Sequence, residues 1–152
     1  MPHFGLMNPD EMKSAETAIM RAKLHVRGGM RRISQGKIEA GIAALHDAII
    51  SAMQYLFFSN QIEESLDKTD HDFDITDEIV LFNILKKSGL IDETFREEDF
   101  TYFSIIIEKA LDHQLHDFNQ KVYLKKYNNL MNKLGIIPYD EQELPPEDPA
   151  TF

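Results

Sequence analysis

Cysteine is absent from the 152 residues. That excludes disulfides, thiolate metal sites and cysteine nucleophile chemistry, and it fits a reducing cytoplasm. Proline is also absent from the whole interval between Asp10 and Ile137, all six prolines lying outside it. Glycine is scarce, at seven residues. A long interior without helix breakers is what an all-helical domain requires. The start, Met1-Pro2-His3-Phe4-Gly5, lacks the basic and apolar regions of a signal peptide. No run is expected to reach the roughly 20 apolar residues that cross a bilayer. A cytoplasmic protein without membrane association is therefore expected.

Catalytic signatures are missing too. There is no glycine-rich phosphate loop, no Gly-x-Ser-x-Gly and no His-Glu-x-x-His, so the common nucleotide, serine-hydrolase and zinc-protease chemistries have no motif here. The acidic run Asp70-His71-Asp72-Phe73-Asp74 resembles the opening of a calcium loop. Counting from Asp70, however, Ile75 stands where glycine is required and Leu81 where a bidentate glutamate is required. It reads as an acidic connecting loop, and no cofactor is expected.

The net charge is −10, which disfavours broad nucleic-acid binding because phosphates would be repelled on average. The charge is uneven. Residues 13–37 hold seven basic side chains against Glu16, a segment of +6 that leaves −16 elsewhere. Lys23, Arg27 and Arg31 recur at steps of four, which places them along one side of a helix. Such a stripe either binds an anionic ligand or pairs with acidic neighbours in the same chain. A protein partner is compatible with either.

Apolar periodicity supplies the architecture. Ile38, Ile42, Leu45, Ile49, Met53 and Leu56 recur at steps of three and four, a stripe that only other helices can hide. Before it, Ile19, Ala22, Val26, Met30 and Ile33 mark a first helix over about 11–34, and Gly36 supplies a tight turn between the two. Gly28-Gly29 falls inside that first helix and should cost about 2 kcal/mol relative to alanines. Either the helix breaks there or a neighbouring backbone comes close; close packing is the expectation. The second helix, about 37–60, carries many small residues and ends in Tyr55-Leu56-Phe57-Phe58, apolar bulk too broad for one stripe. Tyr55, Phe57 and Phe58 are therefore candidate interface residues.

A third helix should begin near Asp74 or Thr76 and stop at Ser88-Gly89, with Lys86 and Lys87 suited to the dipole. Thr94 to Glu97 has capping-box spacing for a fourth helix, whose stripe is Phe100, Phe103, Ile107, Ala110, Leu111 and Leu115. A last helix from about Asn119 presents Tyr123, Tyr127, Leu130, Met131 and Leu134. The fold expectation is an all-α antiparallel up-and-down bundle of four long helices plus one shorter helix. Residues 1–10 form a flexible arm, 11–137 the bundle, and 138–152 an acidic, proline-rich disordered tail. His46, His113 and His116 are a candidate metal set, since His113 and His116 share a helix face at a spacing of three. The Glu-x-x-His motif of di-iron bundles is absent.

Leu81 to Glu93, with its Lys87-Ser88-Gly89-Leu90 turn, is followed by a helix ending Leu111-Asp112-His113-Gln114-Leu115-His116-Asp117-Phe118. Together with the glycine-turn hairpin, these stretches resemble HEPN-type helical domains over about Ala15–Leu134. The resemblance implies a HEPN-like bundle and a homodimer, and in active members an Arg-Asn-x-x-x-His motif that cleaves RNA without metal. His116 matches the family histidine and Phe118 the aromatic after it. Leu111 stands in the arginine's place and Asp112 in the asparagine's. Arginine would hold a phosphate by fixed charge, leucine cannot, and Asp112 would repel one. The reading from sequence is thus a non-catalytic, homodimeric interaction module. The alternatives are a HEPN-type ribonuclease or nucleotide-binding domain using His116 and the basic first helix, and a metal-binding bundle.

Overall fold

A computed structural model describes residues 15–60 and 74–151. The expected arm, residues 11–14 of the first helix and the Asp70–Asp72 run lie outside these. The described residues form an all-helical bundle with no strands: α1 (Ala15–Ser34), α2 (Ile38–Ser59), α3 (Glu78–Lys87), α4 (Glu97–Leu111) and α5 (Gln120–Lys133). Short 3-10 turns follow at Glu141–Glu143 and Pro149–Thr151. Only α1 and α2 are long, at 20 and 22 residues; α3, α4 and α5 have 10, 15 and 14.

α2 is the central helix, packed against α1, α3 and α4. Its apolar stripe is buried as expected at Ile42, Leu45, Ile49 and Met53, but so is its small side at Gly41, Ala44, Ala48, Ser51 and Ala52. By length and composition α2 is long and apolar enough to cross a membrane, contrary to the expectation from sequence. Here 61% of its most apolar window is buried inside the bundle, the pattern of a core helix.

α1 runs unbroken through Gly28-Gly29, and the two glycines meet different surroundings. A Cβ at Gly29 would lie 2.6 Å from Leu45 Cδ2 and 3.0 Å from the Gly41 carbonyl oxygen. At Gly41 it would lie 2.5 Å from Ile33 Cγ1 and 2.9 Å from the Gly29 carbonyl oxygen. Gly29 and Gly41 thus let the two backbones of the hairpin touch, a spacing no side chain allows.

Four helices stop in the same way. Gly36, Gly89 and Gly135 have φ of +81°, +75° and +79° at the ends of α1, α3 and α5. Each is bracketed by the paired backbone bonds of a Schellman turn, such as Lys37 N to Arg32 O at 2.8 Å. α4 uses His113 instead, at φ 56°, with Gln114 N donating to Lys109 O at 2.8 Å. This turn ends α4 at Leu111, short of the Leu115 expected. A left-handed residue with a Cβ costs about 1 kcal/mol relative to glycine. His113→Gly should therefore raise the melting temperature by about 2–4 °C, readable by calorimetry; an unchanged or lower value would contradict the assignment.

The starts of the helices are set by side chains. Asp77, rather than Asp74 or Thr76, caps α3, its Oδ1 accepting from Ile79 N at 2.8 Å and Val80 N at 3.1 Å. Asp74 instead accepts from Thr76 N at 2.9 Å. The Thr94 capping box does not form: Arg96 holds the cap position without a side-chain bond, and Thr94 N donates to Asp92 Oδ1 at 2.8 Å. Glu97, Glu98 and Asp99 support the first turn of α4 through the dipole. Asn119 caps α5, accepting from Val122 N at 3.1 Å.

α5 joins the core through large aromatics. Tyr123 and Tyr127 are buried, and the Tyr127 hydroxyl donates to Leu45 O at 2.8 Å. Phe103 of α4 meets both rings edge-on, at 5.6 and 6.0 Å. Burial pushes both phenols upward in pKa, Tyr127 most.

Candidate functional site

A cleft of about 530 Å3 opens between α4 and the start of α5, lined by Tyr102, Ile106, Lys109, Leu115, His116, Phe118 and Val122 among others. Termination of α4 at His113 and capping of α5 at Asn119 leave 112–119 as a turn across its mouth. His116 and Asp117 are exposed there, and Phe118 is half-buried with its ring 5.3 Å from that of Tyr123. Lys109 is the fixed cation among the lining residues, which include no arginine. The cleft can grip an apolar surface. For phosphate it offers a flexible point charge rather than a planar fork.

Leu111, expected on the inner stripe, is 68% exposed, and Ile105 and Val122 are 46% and 43% exposed. These are the exposed large hydrophobics among the described residues, and Val122 itself lines the cleft. By contrast Phe57, expected at an interface, is 1% exposed and belongs to the core. Tyr55 is partly buried, and Phe58 is partly buried with its ring edge 5.2 Å from Phe57. Of the three, only Phe57 is taken fully into the core, and the exposed large hydrophobics among the described residues lie on α4 and α5.

The basic stripe of α1 is engaged by the acidic segment after Pro138. Arg27 Nε is 3.0 Å and Arg31 Nε 2.5 Å from the two carboxylate oxygens of Glu147. Arg27 Nη1 is 3.5 Å from Glu141, and Lys23 Nζ 3.7 Å from Glu143. Arg27 Nη2 also donates to Pro145 O at 2.7 Å, and Leu144 is buried. The segment expected as a disordered tail is thus described as a strap along α1. Lys23, Arg27 and Arg31 pair with acidic neighbours, the second of the two alternatives posed by the sequence. They do not join His116, whose cleft has no α1 residue in its lining.

His46, His113 and His116 are not brought together either. His113 Nδ1 lies 2.5 Å from Glu39 at the surface. His46 is buried, its Nε2 3.4 Å from Glu78 Oε2. No group of three or more potential metal-holding side chains occurs among the described residues.

Sequence reasoning missed the buried cluster that His46 does belong to. Glu78 opens α3 and accepts a hydrogen bond from Ser104 Oγ of α4 on one oxygen while facing His46 of α2 with the other. Burial pushes the Glu78 carboxyl up, but His46, Ser104 and its own backbone N–H outweigh that and lower it to about 2. His46 Nδ1 has no hydrogen-bond partner among the described residues. Glutamate, not histidine, sits in the middle, so Ser104 faces a weakly basic carboxylate rather than an imidazole and the cluster lacks the order of a nucleophile triad. The available signal was register: His46 falls four residues after Ile42 and three before Ile49, on the buried stripe.

Comparison with family models, curated proteins and solved structures finds no match for this chain.

Proposed function

We propose that this chain is a non-catalytic helical interaction module that homodimerises through the face formed by α4 and α5. The observation that carries the proposal is that the exposed large hydrophobics among the described residues, Ile105, Leu111 and Val122, all lie on α4 and α5, where Val122 lines an open cleft. Exposed large apolar side chains gathered on two helices of an otherwise well-covered bundle point to an interaction surface. Charge permits self-association there. The whole chain carries −10, yet residues 105–126 hold four lysines against Glu108, Asp112 and Asp117, so this face is closer to neutral than the chain as a whole. Light scattering at about 100 µM, above a dissociation constant in the micromolar range, should return twice the 17.6 kDa chain mass, and Leu111→Glu should return one chain mass. A wild-type chain that stays monomeric overturns the dimer.

One observation favours a second reading. His116 stands exposed in the same cleft as Lys109 and Tyr102, where it could exchange a proton with a bound phosphodiester's sugar hydroxyl. This HEPN-type ribonuclease reading predicts metal-independent RNA cleavage that disappears in His116→Ala. Equal inertness of the two proteins in the presence of a chelator refutes it.

A further inference from the structure

We propose that the basic stripe of α1 is a docking groove for an acidic peptide segment of another protein, and that the chain's own segment 139–148 occupies it as an exchangeable stand-in. This surface is independent of the α4–α5 face. The chemistry of the resident segment identifies the class of partner. Glu141, Glu143 and Glu147 supply carboxylates to Lys23, Arg27 and Arg31. Two further contacts are peptide-specific: the Pro145 carbonyl accepts from Arg27 Nη2 at 2.7 Å, and Leu144 is buried as an apolar plug. A nucleic-acid backbone offers neither a main-chain carbonyl nor a leucine.

The hold is of a kind that a competitor can break. Regular structure in the segment is limited to one 3-10 turn of three residues, Glu141–Glu143. Glu141 and Glu143 are 65% and 64% exposed in their pairs, so water and salt screen them strongly. Leu144 lies outside the main core cluster. A shallow cleft of about 550 Å3 lies along the seam between Arg27, Arg31 and the strap residues Glu141, Leu144, Pro146 and Glu147, so the edge of the contact is open to solvent. The arginines, by contrast, are carried by a long helix packed against α2, and with the segment in place their side chains are 10% and 16% exposed.

The test uses the full chain and a fluorescent synthetic peptide of residues 138–152, with a scrambled peptide of the same composition as control. Adding Leu144→Ser and Glu147→Gln to the full chain should tighten peptide binding at least tenfold over wild type, and Arg27→Glu with Arg31→Glu should abolish it. The wild-type chain gives a second readout without mutation. Excess peptide should accelerate amide exchange in 139–148 while leaving α2 protected. The proposal is overturned if the peptide binds none of the proteins, if the scrambled peptide or a single-stranded RNA binds as well, or if exchange in 139–148 is unmoved at saturating peptide.

Discussion

Replacing Gly41 by alanine should destabilise the chain by about 2 kcal/mol, although alanine is the better helix former by about 1 kcal/mol. The added methyl would meet Ile33 Cγ1 at 2.5 Å and the Gly29 carbonyl at 2.9 Å. Neither can yield without separating α1 from α2. Gly29→Ala should act in the same direction, against Leu45 and the Gly41 carbonyl. Gly28→Ala is the internal control, because its new Cβ would meet only the flexible ends of Arg32 and Arg31, nearest at 3.0 Å. It should stabilise by about 0.5–1 kcal/mol. For a domain of this size the expected shifts are about −4 to −8 °C for Gly41→Ala and +1 to +4 °C for Gly28→Ala. Adjacent glycines in one helix would then carry opposite signs. Thermal melts in which both alanines stabilise would contradict the close hairpin.

The second large effect is expected at Glu78. Glu78→Ala leaves His46 buried with neither ring nitrogen satisfied and takes the acceptor from Ser104. Removing one member of a largely buried polar pair costs about 2–4 kcal/mol. The pH dependence has a defined sign. The folded-state pKa of Glu78 is lowered from 4.5 to about 2, so its contribution is fully present above about pH 4.5. It is lost as the pH falls through about 2. Denaturant titrations at pH 7 and pH 2.5 should show the gap between wild type and Glu78→Ala narrowing at the lower pH. A gap that stays constant or widens on acidification would refute the depressed carboxyl.

The elements that sequence disclosed were those governed by local rules. The stripe of α2, the aromatic face of α5 and the left-handed ends at Gly36, Gly89 and Gly135 each follow from periodicity or from glycine's conformational freedom. What sequence could not supply was the identity of the facing surface. Gly28 and Gly29 are indistinguishable as letters, and only the helix opposite separates them. Phe57 and Leu111 are both apolar residues near a helix end; one is covered by the core and the other by nothing described. The Thr94 box fails because Asp92 competes for the threonine through a local turn. Compositional rules read the segment after Pro138 as disordered. They do not register that its carboxylates match a basic stripe more than a hundred residues earlier.

Function divides along the same line. The three histidines of the candidate metal set each have a different setting: His46 in the interior cluster, His113 at a helix stop, and His116 in the open cleft. The apolar excess that suggested a partner on α2 includes Phe57, which the core buries, so the proposed contact is placed on α4 and α5 instead. Moving it from Tyr55–Phe58 to Ile105, Leu111 and Val122 gives the interaction reading a definite address.

That address can be measured directly. Amide hydrogen exchange of the wild-type chain should be compared at 1 and 100 µM, chosen to span about the micromolar dissociation constants of many homodimers. Added protection at the higher concentration is expected across 102–122, with 54–59 unchanged. Concentration-independent exchange throughout, or protection gained at 54–59 instead, would contradict the α4–α5 face as the surface through which this chain associates.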